Sequence, residues 1–193
     1  TTLAGTDLSR ANLSGVDLSS AYLWNIHAVD LVACPAALPS GWECVGSSIL
    51  GPTANLTGAN LSGAGLAGID LNAANLENFR AIYLASCPQV LPSDWECRAT
   101  AEMGTILVGP RADLSWTNLS SENFNNSNLR WTNMVRTNLS GAFFADANFY
   151  QSILIDTNFA GADLDDTVLR NSDLRGADFS LANLSSVNLS GFE

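Results

Sequence analysis

Lysine is absent from this 193-residue sequence, histidine occurs once, and all eight basic residues are arginine. Set against 19 acidic residues, they leave a formal charge of −11. That balance removes the basic footprint that nucleic acid and anionic membranes require, so neither is expected as a partner. Also missing is any apolar run of about 18 residues, the length needed to cross a bilayer, and membrane insertion is therefore not expected. Thr1-Thr2-Leu3 opens the sequence without a charged region leading into an apolar stretch, so a signal, if the chain is exported, is expected to have been removed. Charged residues make up only 14% of the chain and apolar ones 47%, enough to bury a continuous core in one domain spanning 1–193.

Cysteine is scarce but patterned. Cys34 with Cys44 and Cys87 with Cys97 form two pairs at equal spacing inside matching text. Structural zinc needs four soft ligands at short spacing, and a single histidine in the chain does not help to build such a site. Disulfides Cys34–Cys44 and Cys87–Cys97 are the expectation. They point to an oxidising compartment: secreted, periplasmic or lumenal.

What is abundant is a period of five. Leucine, phenylalanine or methionine recurs at every fifth position from Leu114 to Leu189, and the same spacing covers Leu8 to Leu23 and Leu56 to Leu76. Two residues before most of them stands a small residue, such as Ala112, Thr117, Ser127 or Thr132, and the residue between is mostly Asp or Asn. Five fits neither the 3.6 of a helix nor the plain alternation of a strand, so the chain must bend once per unit. In a short extended piece the small residue and the leucine point to one side and the Asp or Asn to the other. Four such sides per coil would stack residues 20 apart, about 4.8 Å from one another, as neighbouring strands require. Each coil then covers the next, as in solenoids.

The unit A-(D/N)-L-x-x resembles the pentapeptide-repeat family. The resemblance implies an all-β fold, a right-handed quadrilateral parallel β-helix with the leucine or phenylalanine and the small residue inside. It names a fold rather than an activity. Some members of that family are negatively charged rods that bind DNA gyrase, so duplex mimicry is an alternative, although disulfides run against a cytosolic target.

The repeat occupies 4–25, 54–78 and 112–191 and is interrupted by inserts at 26–53 and 79–111. The inserts share their wording at an offset of 53: Leu38-Pro39-Ser40-Gly41-Trp42-Glu43-Cys44 matches Leu91-Pro92-Ser93-Asp94-Trp95-Glu96-Cys97. Pro35, Pro39, Pro88 and Pro92 predict excursions from the coil, each stapled by a disulfide, with Trp42 and Trp95 covering the adjacent coil.

Catalysis needs a nucleophile, base or metal in a concave pocket, and a coil filled by its own side chains offers none. No catalytic residues are expected, and His27 reads as a loop histidine. Three surface features are candidates for something else. Asp146 and Asp166 share a predicted column, with Asp163 and Asp165 beside them and Asn126 one coil below, and such oxygens suit calcium or a mineral surface. Trp116, Val135, Ile153 and Ile155 place apolar residues outward on one face, with Trp131, Phe143 and Tyr150 on adjoining faces and Arg130 and Arg136 among them. Such a patch is either an interface for a protein or surface whose identity is open, or is buried beneath the second insert or a chain terminus. Glu122 stands at an inward position meant for a small residue, so it must distort its corner or turn outward. The coil ends, with Phe192 at the last repeat, could also support a homo-oligomer.

Overall fold

The computed structural model describes residues 1–191, and Phe192 lies outside the described residues. The chain is described as two compact units, Thr1–Ser93 and Asp94–Glu193. In a repeat architecture each coil touches only its neighbours, so a compact unit is bounded wherever unrelated text interrupts the stacking. The second insert is that interruption.

Both units are built from the right-handed β-helix that the five-residue period requires. In the second unit the outward Asx positions form parallel bridges at a constant step of 20 residues: Asp113–Asn133–Ile153–Asp173, Asn118–Asn138–Asn158–Asp178, Asn123–Phe143–Asp163–Asn183 and Asn128–Asn148–Val168–Asn188. These four ladders are the four faces of the coil. The leucine positions between them are fully buried from Leu114 to Leu169. Inward hydroxyls are satisfied across the coil, since Thr137 donates to Leu114 O at 2.8 Å, Thr157 to Met134 O at 2.8 Å and Thr167 to Phe144 O at 2.9 Å. That burial also takes these threonines away from any ice-like surface role.

The outward Asp or Asn has two structural tasks. Its Oδ1 accepts from the backbone N–H two residues on, as in Asn158 to Ala160 at 2.9 Å, closing an Asx turn at the corner. Asparagines also link successive coils, with Asn138 Nδ2 donating to Asn118 Oδ1 at 2.9 Å and Asn158 Nδ2 to Asn138 Oδ1 at 3.1 Å. After each leucine the second residue takes a left-handed conformation, with φ near +60° at positions such as Trp116, Asn126, Trp131, Asp146, Gly161 and Asp166. Gly, Asn and Asp tolerate that region, and this explains much of the corner composition.

In the first unit, only part of the first insert leaves the ladder. His27 bridges Asp7 and Asn55, Ala33 bridges Asn12 and Ala37 bridges Asp17, so these residues remain coil wall. Arg80, Ser86 and Val90 do the same against Asn60, Gly65 and Asp70. The excursion reading therefore needs correcting at Pro35 and Pro88, whereas Pro39 and Pro92 follow the last bridges and precede the hairpins. The donors on either side, Val32 N to Ala11 O and Ala36 N to Val16 O, pass over Pro35, so proline costs the ladder no bond. One extra residue is absorbed at the same place in each copy, where the step is 21 instead of 20 (Asn12 to Ala33, Gly65 to Ser86). His27 is likewise no loop residue, as its Nδ1 lies 2.8 Å from Asn55 O.

The true departures are two antiparallel hairpins. β1 (Glu43–Val45) pairs with β2 (Ser48–Leu50), and β3 (Glu96–Thr100) with β4 (Gly104–Val108). In the first, Ile49 N donates to Ala28 O and Leu31 N to Ser47 O, which seats the hairpin on the coil and buries Ile49 completely. Cys34 and Cys44 form a disulfide with Cα atoms 6.1 Å apart, Cys87 and Cys97 are disulfide-bonded as well, and no cysteine is free.

Trp42 and Trp95 lie flat on the glycines that follow the hairpins, Gly51 and Gly109. A Cβ at Gly109 would sit 2.5 Å from the Trp95 ring, and Gly51 meets Trp42 in the same way. Space, not backbone conformation, requires glycine here. Gly109→Ala is expected to push Trp95 off its seat and lower stability by about 1–3 kcal/mol, the usual cost of overpacking. A thermal denaturation midpoint equal to that of the parent chain would contradict this.

Candidate functional site

The functional reading turns on the outer surface of the second unit. Its first feature is the seat of the β3–β4 hairpin. Glu122 is the residue that broke the inward rule, and it resolves by turning to the hairpin: its Oε1 accepts from Ala101 N at 2.6 Å. Arg98 reaches the same place. It donates to Asn123 O, donates to Ser127 Oγ at 3.1 Å, pairs with Glu96 at 2.6 Å and lies 5.5 Å from the Phe124 ring. A cavity of about 210 Å³ opens between Arg98, Ala99, Thr100, Glu122, Asn123 and Phe124. Its charged groups are each already partnered, Arg98 by Glu96 and Glu122 by the Ala101 N–H, which suits a clasp better than a ligand site.

The hairpin seats there and not on the apolar patch, several residues of which stay exposed to solvent. On the Asp113–Asn133–Ile153–Asp173 face, Trp116 is 66% and Ile153 43% exposed, while Val135 and Ile155 are half-buried. Arg136 stacks over the Trp116 ring at 4.7 Å and pairs with Asp156 at 3.2 Å. Phe143, 46% exposed, stands apart on the Asn123–Phe143–Asp163–Asn183 face.

Trp131 and Tyr150 belong to the Asn128–Asn148–Val168–Asn188 face, with their rings 6.1 Å apart edge to face. Arginines cover both rings: Arg111 and Arg130 lie 4.9 and 4.3 Å from Trp131, and Arg130 and Arg170 lie 5.3 and 6.0 Å from Tyr150. Trp131 Nε1 donates to Gln151 Oε1 at 2.9 Å. Sequence reasoning picked out Arg130 as a neighbour of the apolar patch but missed Arg111 and Arg170. The signal was there in the 20-residue step, which places Arg130, Tyr150 and Arg170 in one column.

The four aspartates resolve differently. Asp146 and Asp166 occupy left-handed corners, whereas Asp163 closes an Asx turn with Asp165 N at 3.3 Å and accepts from Asn183 Nδ2 at 2.8 Å. Among the described residues no group of three or more His, Cys, Asp or Glu side chains is arranged to hold a metal ion. The repeat's own geometry accounts for these positions. Elsewhere hydroxyl and backbone donors hold such carboxylates below their ordinary range: the Ser19 backbone N–H at Asp17 and the Ser180 hydroxyl at Asp178. Asp173 is lowered by the Arg175 guanidinium. These shifts belong to turns along the coil and mark no single site.

Fold and surface together define a β-solenoid that offers faces rather than a cleft. The chain belongs to the pentapeptide-repeat family: the family model described as pentapeptide repeats (8 copies) matches residues 1–25, 54–78, 112–151 and 152–191, more than half of the sequence. Among solved structures it is similar to a pentapeptide repeat protein from the Arabidopsis thaliana thylakoid lumen, at 38% identity over 38% of this chain and 48% of that one, with a TM-score of 0.29. The chain thus spans about half the length of that protein. It is also similar to HetL, a pentapeptide repeat protein involved in heterocyst differentiation regulation in the cyanobacterium Nostoc, at 23% identity over 97% and 86% of the two chains, with a TM-score of 0.34. QnrB1, a plasmid-mediated fluoroquinolone resistance protein, matches at 15% identity over 98% and 84%, with a TM-score of 0.38. No curated protein matches the chain.

Proposed function

We propose that this chain is a non-catalytic interaction module, working in an oxidising compartment, that binds a macromolecular partner through the side faces of its second unit. The observation that carries the reading is the placing of two tryptophans, Trp116 and Trp131, at left-handed corners with φ of +60° and +59°. A bulky residue there is disfavoured by roughly 1–2 kcal/mol, and neither ring enters the coil interior in return. Aromatic side chains flanked by arginine are also the composition of protein interfaces. The disulfides support the compartment, since reducing cytosol seldom sustains them.

The test uses glycine, which prefers the corner conformation. Trp116→Gly with Trp131→Gly is expected to leave the thermal midpoint unchanged or raised. A photo-crosslinking amino acid at Ile153, in the oxidising compartment of the source cell, is expected to give a discrete adduct with another macromolecule that the double variant loses. Absence of any adduct with the parent chain would end the reading. Neither duplex mimicry nor calcium binding draws comparable support, because one face of the coil is basic and the aspartates serve turns and corners.

A further inference from the structure

In a chain of net charge −11, one face of the second unit carries no acid. The Asn128–Asn148–Val168–Asn188 ladder and the side chains beside it comprise Arg130, Tyr150, Arg170, Trp131, Gln151 and Asn171, along with small or apolar residues. The neighbouring Asn123–Phe143–Asp163–Asn183 face is its opposite: its coil residues include Asp146, Asp163, Asp165 and Asp166 and no base, and the one arginine seated on it, Arg98 of the hairpin, is paired with Glu96. Acid and arginine are thus separated between these two faces. Among the described residues neither Arg130 nor Arg170 makes an ion pair, and Arg130 Nε is buried without an acceptor. Both guanidiniums instead stack beside Tyr150, over an open groove of about 390 Å³ lined by Arg130, Asn148, Tyr150, Val168, Arg170 and Asn188.

We infer that this groove is a docking site for an extended acidic segment of a partner protein, whose carboxylates are taken by Arg130 and Arg170 and whose intervening residue rests on Tyr150. The inference deepens the interaction-module reading and rests on it. A guanidinium stacked on a ring keeps its N–H fork free at the edge, and that fork matches a carboxylate in bidentate fashion. Arg130 and Arg170 are two coil steps apart, about 10 Å, and carboxylates two or three residues apart in an extended chain span about 7–10 Å. Charge complementarity selects a short acidic segment over a polyanion. Two arginines within a screening length of about 8–10 Å can hold local carboxylates, whereas a nucleic acid would also meet the repulsion of the rest of the molecule. Asn148 and Asn188 add polar donors along the groove for the segment's backbone.

The probe is a short fluorescein-labelled peptide of alternating aspartate and alanine, with an asparagine counterpart as control, followed by anisotropy against the full chain. The acidic peptide is expected to bind in a salt-sensitive way, and Arg130→Gln with Arg170→Gln to weaken it by at least about tenfold. Asp146→Asn with Asp166→Asn should leave binding unchanged or slightly tighter. Circular dichroism and melting of the arginine variant, together with a partial return of affinity in Arg130→Lys, separate loss of the site from loss of the fold. Equal binding of acidic and asparagine peptides, or undiminished binding by the double glutamine variant, would overturn the proposal. So would tighter binding of a single-stranded oligonucleotide, or salt-sensitive self-association in sedimentation that the double variant abolishes, since these assign the groove to a polyanion or to a second copy. A crosslinked adduct at Ile153 without acidic-peptide binding would overturn this inference alone and leave the module reading standing.

Discussion

Phe144→Ala is expected to lower the stability of the second unit by about 3–5 kcal/mol, the range for truncating a buried phenylalanine when the site cannot collapse. Phe144 is fully buried and touches three other rings. It stacks on Phe124 at 5.4 Å, meets Phe149 at 5.1 Å and sits edge to face with Phe159 at 5.9 Å. The walls around it are held by backbone bonds between coils, such as Phe144 N to Asp163 O and Phe124 N to Phe143 O, both 2.7 Å. A coil so bonded cannot shrink around a lost ring, so the cavity term should persist. Phe144→Leu separates the contributions: leucine fills the same position in most coils, so this variant loses ring contacts while avoiding most of the void, and should cost clearly less. Urea unfolding of the parent and both variants gives the comparison. Equal midpoints for alanine and leucine would show that volume is not what matters at this position.

The inward and outward assignment of nearly every residue in the second unit was legible in the sequence, because sixteen apolar residues spaced five apart without a slip leave one register. Leu114 to Leu169 and the threonines at 117, 132, 137, 157 and 167 are buried as that register requires. The inserts were less legible. Prolines 35, 39, 88 and 92 signalled departure from the ladder; Pro39 and Pro92 do lead out to the hairpins, but the ladder accommodates Pro35 and Pro88, and sequence pattern does not show which N–H groups are spent. His27 was misread for the same reason. The surface was legible in composition and not in conformation: that Asp146 and Asp166 stand at left-handed corners, a place aspartate tolerates, was visible only in the structure. The 20-residue column could have joined Arg130, Tyr150 and Arg170, but only the structure shows rings and guanidiniums interleaved without a carboxylate.

Glu122 carries the second large effect, because it is the point where the β3–β4 hairpin is fastened. Its carboxylate accepts from Ala101 N in the hairpin turn, while Arg98 on β3 donates to Asn123 O and Ser127 Oγ on the coil. Hydrogen bonds to a charged group are worth about 1.5–3 kcal/mol, and because Ala101 is exposed, water can take the place of a lost acceptor, so no further desolvation cost is added. Glu122→Lys removes the acceptor and places a cation beside Arg98, so both fastenings should weaken together. The expected result is local. In hydrogen–deuterium exchange, amides of β3 and β4 should lose about 1–3 kcal/mol of protection, while coil amides such as Asn138 and Asn158 keep theirs. Glu122→Gln keeps an acceptor oxygen and should lie between the two. Uniform loss across the coil would mean that Glu122 supports the solenoid itself, and unchanged protection in β3 would mean that the disulfide and the Trp95 seat hold the hairpin without it.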